Sequence, residues 1–493
     1  MDNLGTPLSK VDTKYDAIII GAGIGGLVCG CYLAKKGLKV LIVEQHYKPG
    51  GYCSSFEREG CIFDATVHSL SSFRNKGQLR TVYDELELEK YLKILRFDPV
   101  NFIVFPKHSI KIYNDIKKTL YEFQENFPDE TRSLTTFFNY ISTANFTDIY
   151  VTLKDKTLLE FLKNYFKDSK LISTLCSVLI NAGFPSYEAS ALSTFYHYKE
   201  FMFDSGYYPK GGMQRLPDSL AKSFGEIGGR IIFSNAVKKI KVENKKVKSV
   251  ILKNGEEFIS EIIISNCDSY QTFFDFIGKE YISKNKILDL RSLKPTPSAL
   301  IIYLALKSKS DKVTGPANIW YFDDYNIDNV FSEINIGKID IASNIIFCGK
   351  PSSHDTELAP PGLKTMFLIS LVPYKDFGFW EEKSEIISER MVKKMCEILG
   401  VKTTDIATKE IATPLTLHKY TRNYKGSSFG LGATPPQIRR DVLPQRCPFL
   451  KGLYLVGHWS TGGAGQGGVS FSAASGRNLA KLIMKDIEET INI

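Results

Sequence analysis

Residues 15–51 read YDAIIIGAGIGGLVCGCYLAKKGLKVLIVEQHYKPGG, and the order of features within them decides the fold. Ala17, Ile18, Ile19 and Ile20 form an unbroken apolar run, the pattern of a strand buried on both faces. Gly21, Gly23 and Gly26 follow in G-x-G-x-x-G spacing, with Ala22, Ile24 and Gly25 between them. Residues 27–36 predict a helix that packs through Leu27, Val28, Cys31 and Leu33. Lys35 and Lys36 in its last turn and Gly37 just beyond give a stop signal. A second apolar run, 40–43, ends on Glu44 and Gln45. Gly21 allows the tight turn, Gly23 lets a phosphate approach the backbone, and Gly26 lets helix and strand pack closely. The helix start offers free N–H groups and a partial positive charge to a pyrophosphate. Glu44 lies about 20 residues beyond the turn, where a carboxylate accepts bonds from ribose hydroxyls. A lone glycine triplet carries little weight, but this sequence of parts predicts a dinucleotide-binding site. Gly50 and Gly51, followed by Tyr52, predict a second close approach of backbone to the same ligand.

At 493 residues the chain exceeds one simple core, and two or more intertwined domains are expected. The composition is that of a globular protein. The net charge of +9 is spread along the chain. Its plain reading is a solvated surface, and its sharper one is attraction to anionic lipid headgroups. No nucleic-acid module stands out. The nine cysteines are odd in number and lack the spacing of a metal site, so a reducing compartment is the simplest setting. The first fourteen residues have no apolar signal core, and no run approaches the roughly 18–20 apolar residues that span a bilayer. The expectation is a cytoplasmic protein, soluble or peripheral on a membrane surface.

Between residues 77 and 203 glycine motifs give way to amphipathic helices. Pro128 stands at a helix start, and Thr157 with Glu160 makes a T-x-x-E capping box ahead of Leu158, Phe161 and Leu162. A helical cap on its own core is the plain reading, and a membrane-contacting lid the sharper one. Residues 207–264 return to the first style. Gly211, Gly212 and Met213 precede a helix, and β-rich runs follow at 236–242, 247–252 and 258–264, with an Asn254-Gly255 turn between the last two. Lys238, Lys239, Lys245, Lys246 and Lys248 alternate onto the solvent side. Strands are expected at 299–306 and 366–371. The apolar run 452–457 ends on Gly457, and Thr461, Gly463, Gly465, Gly467, Gly468 and Val469 lead into a last helix. N–H groups at that helix start are free to bond a ligand.

Residues 21–26, Glu44, Gly50-Gly51, Phe63-Asp64 with His68, the Gly-Gly-Met segment and the last glycine segment occur in a particular order. In that order they resemble the phytoene desaturase, carotenoid isomerase and retinol saturase superfamily of FAD-dependent oxidoreductases. The resemblance runs over nearly the whole chain. Ala65, Thr66 and Val67 stand where the family has a glycine, and Gly462 and Gly467 where it usually has prolines. The resemblance implies an α/β fold in which 14–76, 205–290 and 448–493 assemble a discontinuous Rossmann-type FAD domain. Residues 77–204 and 291–447 then supply an inserted mixed α+β substrate domain with its helical cap. It also implies that Val237 holds the adenine through its backbone, and that Gly212, Met213, Gly457, Gly465, Gly467, Gly468 and Val469 join the FAD site. Residues 413–430 look like the family's loop before the last flavin motif.

No catalytic triad, metal spacing or P-loop stands out. Flavin carries its own reactive atom, so no protein nucleophile is needed. His68, Tyr52, His458 and Trp459 adjoin cofactor motifs. His68 and His458 are the candidates for catalysis, although support of the flavin pocket outweighs it for each. His197 reads as an ordinary helix residue. The expected activity is an FAD-dependent oxidoreductase acting on C–C or C=C bonds of a long apolar polyene or isoprenoid, by desaturation, saturation or cis/trans isomerisation. A flavin amine oxidase and a non-catalytic lipid-binding flavoprotein are the alternatives. Oligomeric state is left open.

Overall fold

The computed structural model describes residues 12–307, 315–339, 342, 344–439, 442–460 and 468–491. Strand Ala17–Ile20 is buried along its whole length and is the middle of a five-stranded parallel sheet. The spatial order is Leu453–Leu455, Ile263–Ser265, Ala17–Ile20, Val40–Val43 and Arg230–Ile232. Three distant parts of the chain therefore build one sheet. Helix Ile24–Lys35 crosses between its first two strands and packs against helices Arg215–Glu226 and Val469–Ile491. The fit is close. A Cβ on Gly26 would sit 2.3 Å from the Gly21 carbonyl oxygen, and one on Gly476 would sit 2.5 Å from the Gly25 oxygen. Backbone takes the space that side chains occupy elsewhere.

A three-stranded antiparallel sheet follows, Val237–Glu243, Lys246–Leu252 and Glu257–Ile259. Its first hairpin turns on Asn244 (φ 50°) and Lys245 (φ 58°), the paired positive φ of a type I′ turn. Lys238, Lys239 and Lys245 are exposed, and Lys246 and Lys248 half-buried. The 258–264 run is not one strand. It divides into Glu257–Ile259 and Ile263–Ser265, which belong to different sheets. Ser260 makes the crossing, its buried hydroxyl bonding the carbonyls of Asp16 and Ile262. The polar pair Ser260-Glu261, with Glu261 exposed, interrupts the apolar run at the crossing.

A seven-stranded mixed sheet forms the second half. Its order is Ile406–Ala412, Ser298–Lys307, Leu363–Val372, Ile345–Gly349, Asn318–Phe322, Asn101–Val104 and Ser109–Ile112. Side chains alternate across it with the period of a strand. Leu300, Ile302, Leu304 and Leu306 pack with Trp380, Met391 and Met395 of helix Phe377–Leu399. Ala299, Ile301, Tyr303 and Ala305 face a separate core shared with the helical cap. That core takes Leu134, Phe137 and Phe138 from helix Thr131–Thr143 and Leu158, Phe161 and Leu162 from helix Leu158–Lys163. Pro128 opens a 3₁₀ turn into the first of these helices. The capping box of the second is complete, with Thr157 N–H donating to Glu160 at 2.8 Å and Glu160 N–H to Thr157 at 3.3 Å. Among the described residues no helix is long and apolar enough to cross a membrane.

Candidate functional site

The site starts where the parallel strands end, the usual place for ligands in open α/β sheets. Gly21 takes φ 98° and donates to the Val43 carbonyl at 2.8 Å, turning the chain at once into the helix. Gly23 is the helix N-cap and supplies no side-chain cap, which leaves the first-turn N–H groups free for a ligand. Gly50 N–H donates to the Ala22 carbonyl at 2.9 Å, so the second glycine pair lies alongside the first turn. Glu44 accepts Ala22 N–H at 2.7 Å on one carboxylate oxygen and His46 N–H at 2.8 Å on the other. Burial pushes its carboxyl up, and these backbone bonds oppose that shift. Each oxygen keeps a further acceptor position.

These groups open on one cavity of about 880 Å³. Its wall includes Gly21, Gly23, Ile24, Gly25, Glu44, Gln45, Gly50, Gly51, Tyr52, His68, Val237, Gly457, His458, Gly468 and Val469. Ala22 and Gly26 stand behind the wall, as donor to Glu44 and as the helix–strand contact. Gly465 and Gly467 lie outside the described residues.

Gly212 and Met213 are not among the residues that line this cavity. Met213 is fully buried, and its N–H donates to Asp64 at 2.9 Å. The same carboxylate accepts the Ser55 hydroxyl at 2.7 Å and the Tyr208 hydroxyl at 2.5 Å. Burial raises Asp64 to about 6 against these bonds. The Gly-Gly-Met segment is thus the back of the site. Through Asp64 it ties strand Cys61–Asp64 to the turn that carries Cys53, whose thiol reaches the Met213 carbonyl. Asp64 itself points into this buttress.

The opposite wall is apolar. The seven-stranded sheet contributes Ala299, Ile301, Phe347, Ile369 and Leu371, and the cap contributes Ile180, Asn181 and Phe201. Among the described residues the sheet strands and the cap bring no carboxylate or cation to the cavity; the carboxylates on its wall are Glu44, Asp268 and Asp275, and its cations, Lys238, Lys253, Arg291 and Arg422, come from other segments. His68 sits against this side, its ring 4.0 Å from that of Phe347. Burial lowers it to about 4, opposed by a hydrogen bond to the Thr66 backbone. Burial also lowers His458 to about 4, and its ring centre lies 6.3 Å from that of Tyr52. Both imidazoles are neutral near pH 7. Thr66 and Val67 also line the cavity, so the segment that departs from the family pattern still reaches the site. Tyr52 donates to the Ser427 carbonyl at 2.8 Å, and Trp459 donates to Asn423 at 3.0 Å, which anchors the 423–430 loop. His197 is a buried residue of helix Ala191–His197 and does not line the cavity.

Asn266 and Asp268 are lining residues whose place in the site was not read from the sequence. Asn266 lies beneath the glycine turn, with its amide donating to the Gly21 carbonyl at 3.3 Å. A Cβ on Gly25 would come within 2.9 Å of its side-chain oxygen. Asp268 is buried and accepts N–H groups from Tyr270 (2.5 Å), Gln271 (3.2 Å) and Tyr424. Burial raises it to about 7. Both follow the buried strand Ile263–Ser265, and the end of a parallel strand was the signal that could have found them.

An uncapped helix start, a glycine backbone cradle and a buried carboxylate at the next strand end fit a dinucleotide. A mainly apolar wall from sheet and cap faces the same cavity. Comparison with known proteins agrees. Over 93% of its length the chain is 28% identical to the chloroplastic prolycopene isomerase of Daucus carota, covering 78% of that protein. It is 27% identical to the 4,4'-diapophytoene desaturase of a Methylomonas species, over 96% of this chain and 95% of the relative. It is 23% identical to the all-trans-retinol 13,14-reductase of Danio rerio, over 91% and 83%. In fold it is similar to an oxidoreductase from Methanosarcina mazei, with a TM-score of 0.70 at 19% identity, covering 95% of this chain and all of the other. It is also similar to a putrescine oxidase structure, with a TM-score of 0.65 at 15% identity over 96% of this chain. The relatives place it among FAD-dependent oxidoreductases of the carotenoid desaturase, carotenoid isomerase and retinol saturase group. A match to the model for flavin containing amine oxidoreductases extends from residue 24 to residue 484; the chain belongs to that family, and its cofactor is FAD.

Proposed function

We propose that this FAD enzyme acts on C–C or C=C bonds of a long apolar polyene or isoprenoid, by desaturation, saturation or cis/trans isomerisation. The observation that carries the reading is the wall opposite the glycine turn. Ile180, Ala299, Ile301, Phe347, Ile369 and Leu371 offer a reactant dispersion contact and no counter-ion. The relatives named above act on such compounds, which supports the same choice.

In this reading, 14–76, 205–290 and 448–493 form the FAD domain, and 77–204 and 291–447 the substrate domain. The first-turn N–H groups of Ile24, Gly25 and Gly26 hold the pyrophosphate. Glu44 and Gln45 take the adenosine ribose, and Val237 the adenine. Gly50, Gly51, Tyr52, Gly457, His458, Gly468 and Val469 surround the remainder of the cofactor. Bound flavin supplies hydride and electron transfer. The apolar wall holds the chain of the reactant and keeps water out. His68, kept neutral by its burial, presents its imidazole to the cavity, where an unprotonated ring nitrogen can accept a hydrogen bond.

An amine substrate is the second reading, favoured by the fold's similarity to the putrescine oxidase structure. A cationic amine entering beside Ile301 and Phe347 meets no carboxylate from sheet or cap. The deciding experiment incubates oxidised and anaerobically reduced holoenzyme with a panel of poly-cis and all-trans polyenes and with primary amines. Conversion of a polyene supports the proposal, and the mass change separates redox chemistry from isomerisation. Hydrogen peroxide release with amines and no polyene conversion overturns it.

A further inference from the structure

Asn181 ends the 3₁₀ helix Cys176–Asn181 and is the polar residue that the cap brings to the cavity. Among the described residues its side-chain amide has no hydrogen-bond partner. Its surroundings explain why. A Cβ on Gly183 would lie 2.6 Å from Pro297 and 3.2 Å from Leu371, so this turn is pressed onto the apolar sheet wall. Ser428 approaches Pro297 from another segment, its N–H donating to the Pro297 carbonyl at 3.0 Å. Ser428 lines the same cavity, and its hydroxyl oxygen is buried without a partner. The turn that follows Asn181 and the backbone of Ser428 thus meet at Pro297, and both residues line the cavity.

Filling that space with a pure hydrocarbon would strip water from the amide and return nothing, which is costly for a polar group. An aliphatic residue would serve a hydrocarbon better. An amide both donates and accepts, as does a hydroxyl, so the pair suits an oxygen atom of either character. We propose that Asn181, with Ser428, hydrogen-bonds an oxygen function on the reactant, a hydroxyl or a carbonyl. The substrate is then an oxygenated polyene. This inference rests on the polyene reading above and narrows it.

The test compares matched pairs on the holoenzyme, such as lycopene with its monohydroxy derivative and β-carotene with its hydroxylated form. Binding is read from quenching of flavin fluorescence and turnover from kcat/KM. Wild type should favour the oxygenated partner by at least about tenfold, the effect of one buried hydrogen bond left unmade. Asn181→Leu should erase that preference with full flavin content, and Ser428→Ala should reduce it. Equal use of both partners by wild type, or a preference that survives in Asn181→Leu, overturns the inference and leaves the polyene reading standing. If neither partner binds or turns over, the polyene reading itself fails.

Discussion

Gly26→Ala places one methyl group where the structure has no room. Its Cβ would lie 2.3 Å from the Gly21 oxygen and 3.2 Å from Asn266, whereas ordinary contact begins at 3.4 Å. Relief requires the start of helix Ile24–Lys35 to move about 1 Å from the strand turn, an overpacking cost of about 1–3 kcal/mol. The same movement draws first-turn N–H groups away from the pyrophosphate. Loss of one hydrogen bond to a charged group, about 1.5–3 kcal/mol, weakens FAD binding by roughly 10- to 150-fold. The assay has two parts: FAD titration of apo-protein by flavin fluorescence, and thermal unfolding of the apo-protein. Gly225→Ala is the control. It lies near the end of helix Arg215–Glu226, a Cβ there meets nothing within 4 Å, and it should be neutral or stabilising by up to about 1 kcal/mol. Wild-type FAD affinity and melting temperature in Gly26→Ala would refute the packing argument.

Other consequences concern charge and caps. Asp64 and Asp268 are raised from 3.8 to about 6 and about 7, so between pH 4 and pH 7 the folded protein holds protons that the unfolded chain has released. Their contribution is therefore full below pH 4 and lost as pH rises to 7. Asn substitution at either site should flatten that part of a denaturation–pH curve, and an unchanged slope would contradict the assignment. Asp64→Ala strands Ser55, Tyr208 and the Met213 N–H and should cost about 2–4 kcal/mol, read by chemical denaturation. His68 and His458 titrate near 4, so kcat/KM should show no imidazole limb between pH 5 and 8; a limb near 6.5 that disappears in His68→Gln would contradict their burial. Thr157→Ala should lower stability by about 1 kcal/mol through loss of the cap, without changing flavin content.

The first strand, glycine turn and helix were legible because their cause is local. An apolar run, three glycines and a lysine-rich helix end dictate their own conformation. The capping box at Thr157 and the apolar strand expected at 299–306 were readable for the same reason. What escaped was fixed by contacts between distant parts of the chain. Asp64 meets Met213 across 149 positions, and Asn266 meets Gly21 across 245. The first contact turned the Gly-Gly-Met segment into a buttress rather than a lining. The switch of sheets falls at the polar pair Ser260-Glu261, and the apolar residues on either side carry the composition of one buried strand although they belong to two sheets. Asn181 was silent in sequence, since only the sheet wall opposite makes a lone amide unusual.

The central claim is that the glycine turn and the apolar wall face one cavity, so that cofactor and polyene meet there. Ile369 tests it most directly. It sits in strand Leu363–Val372, paired with Ile301 and Phe347, yet it is only half-buried because it faces the cavity. Ile369→Trp should fill the polyene side, leaving FAD content and the flavin spectrum as in wild type while polyene conversion falls by at least about a hundredfold, about 2.7 kcal/mol of transition-state binding. Full polyene conversion by an FAD-replete Ile369→Trp enzyme would contradict the account.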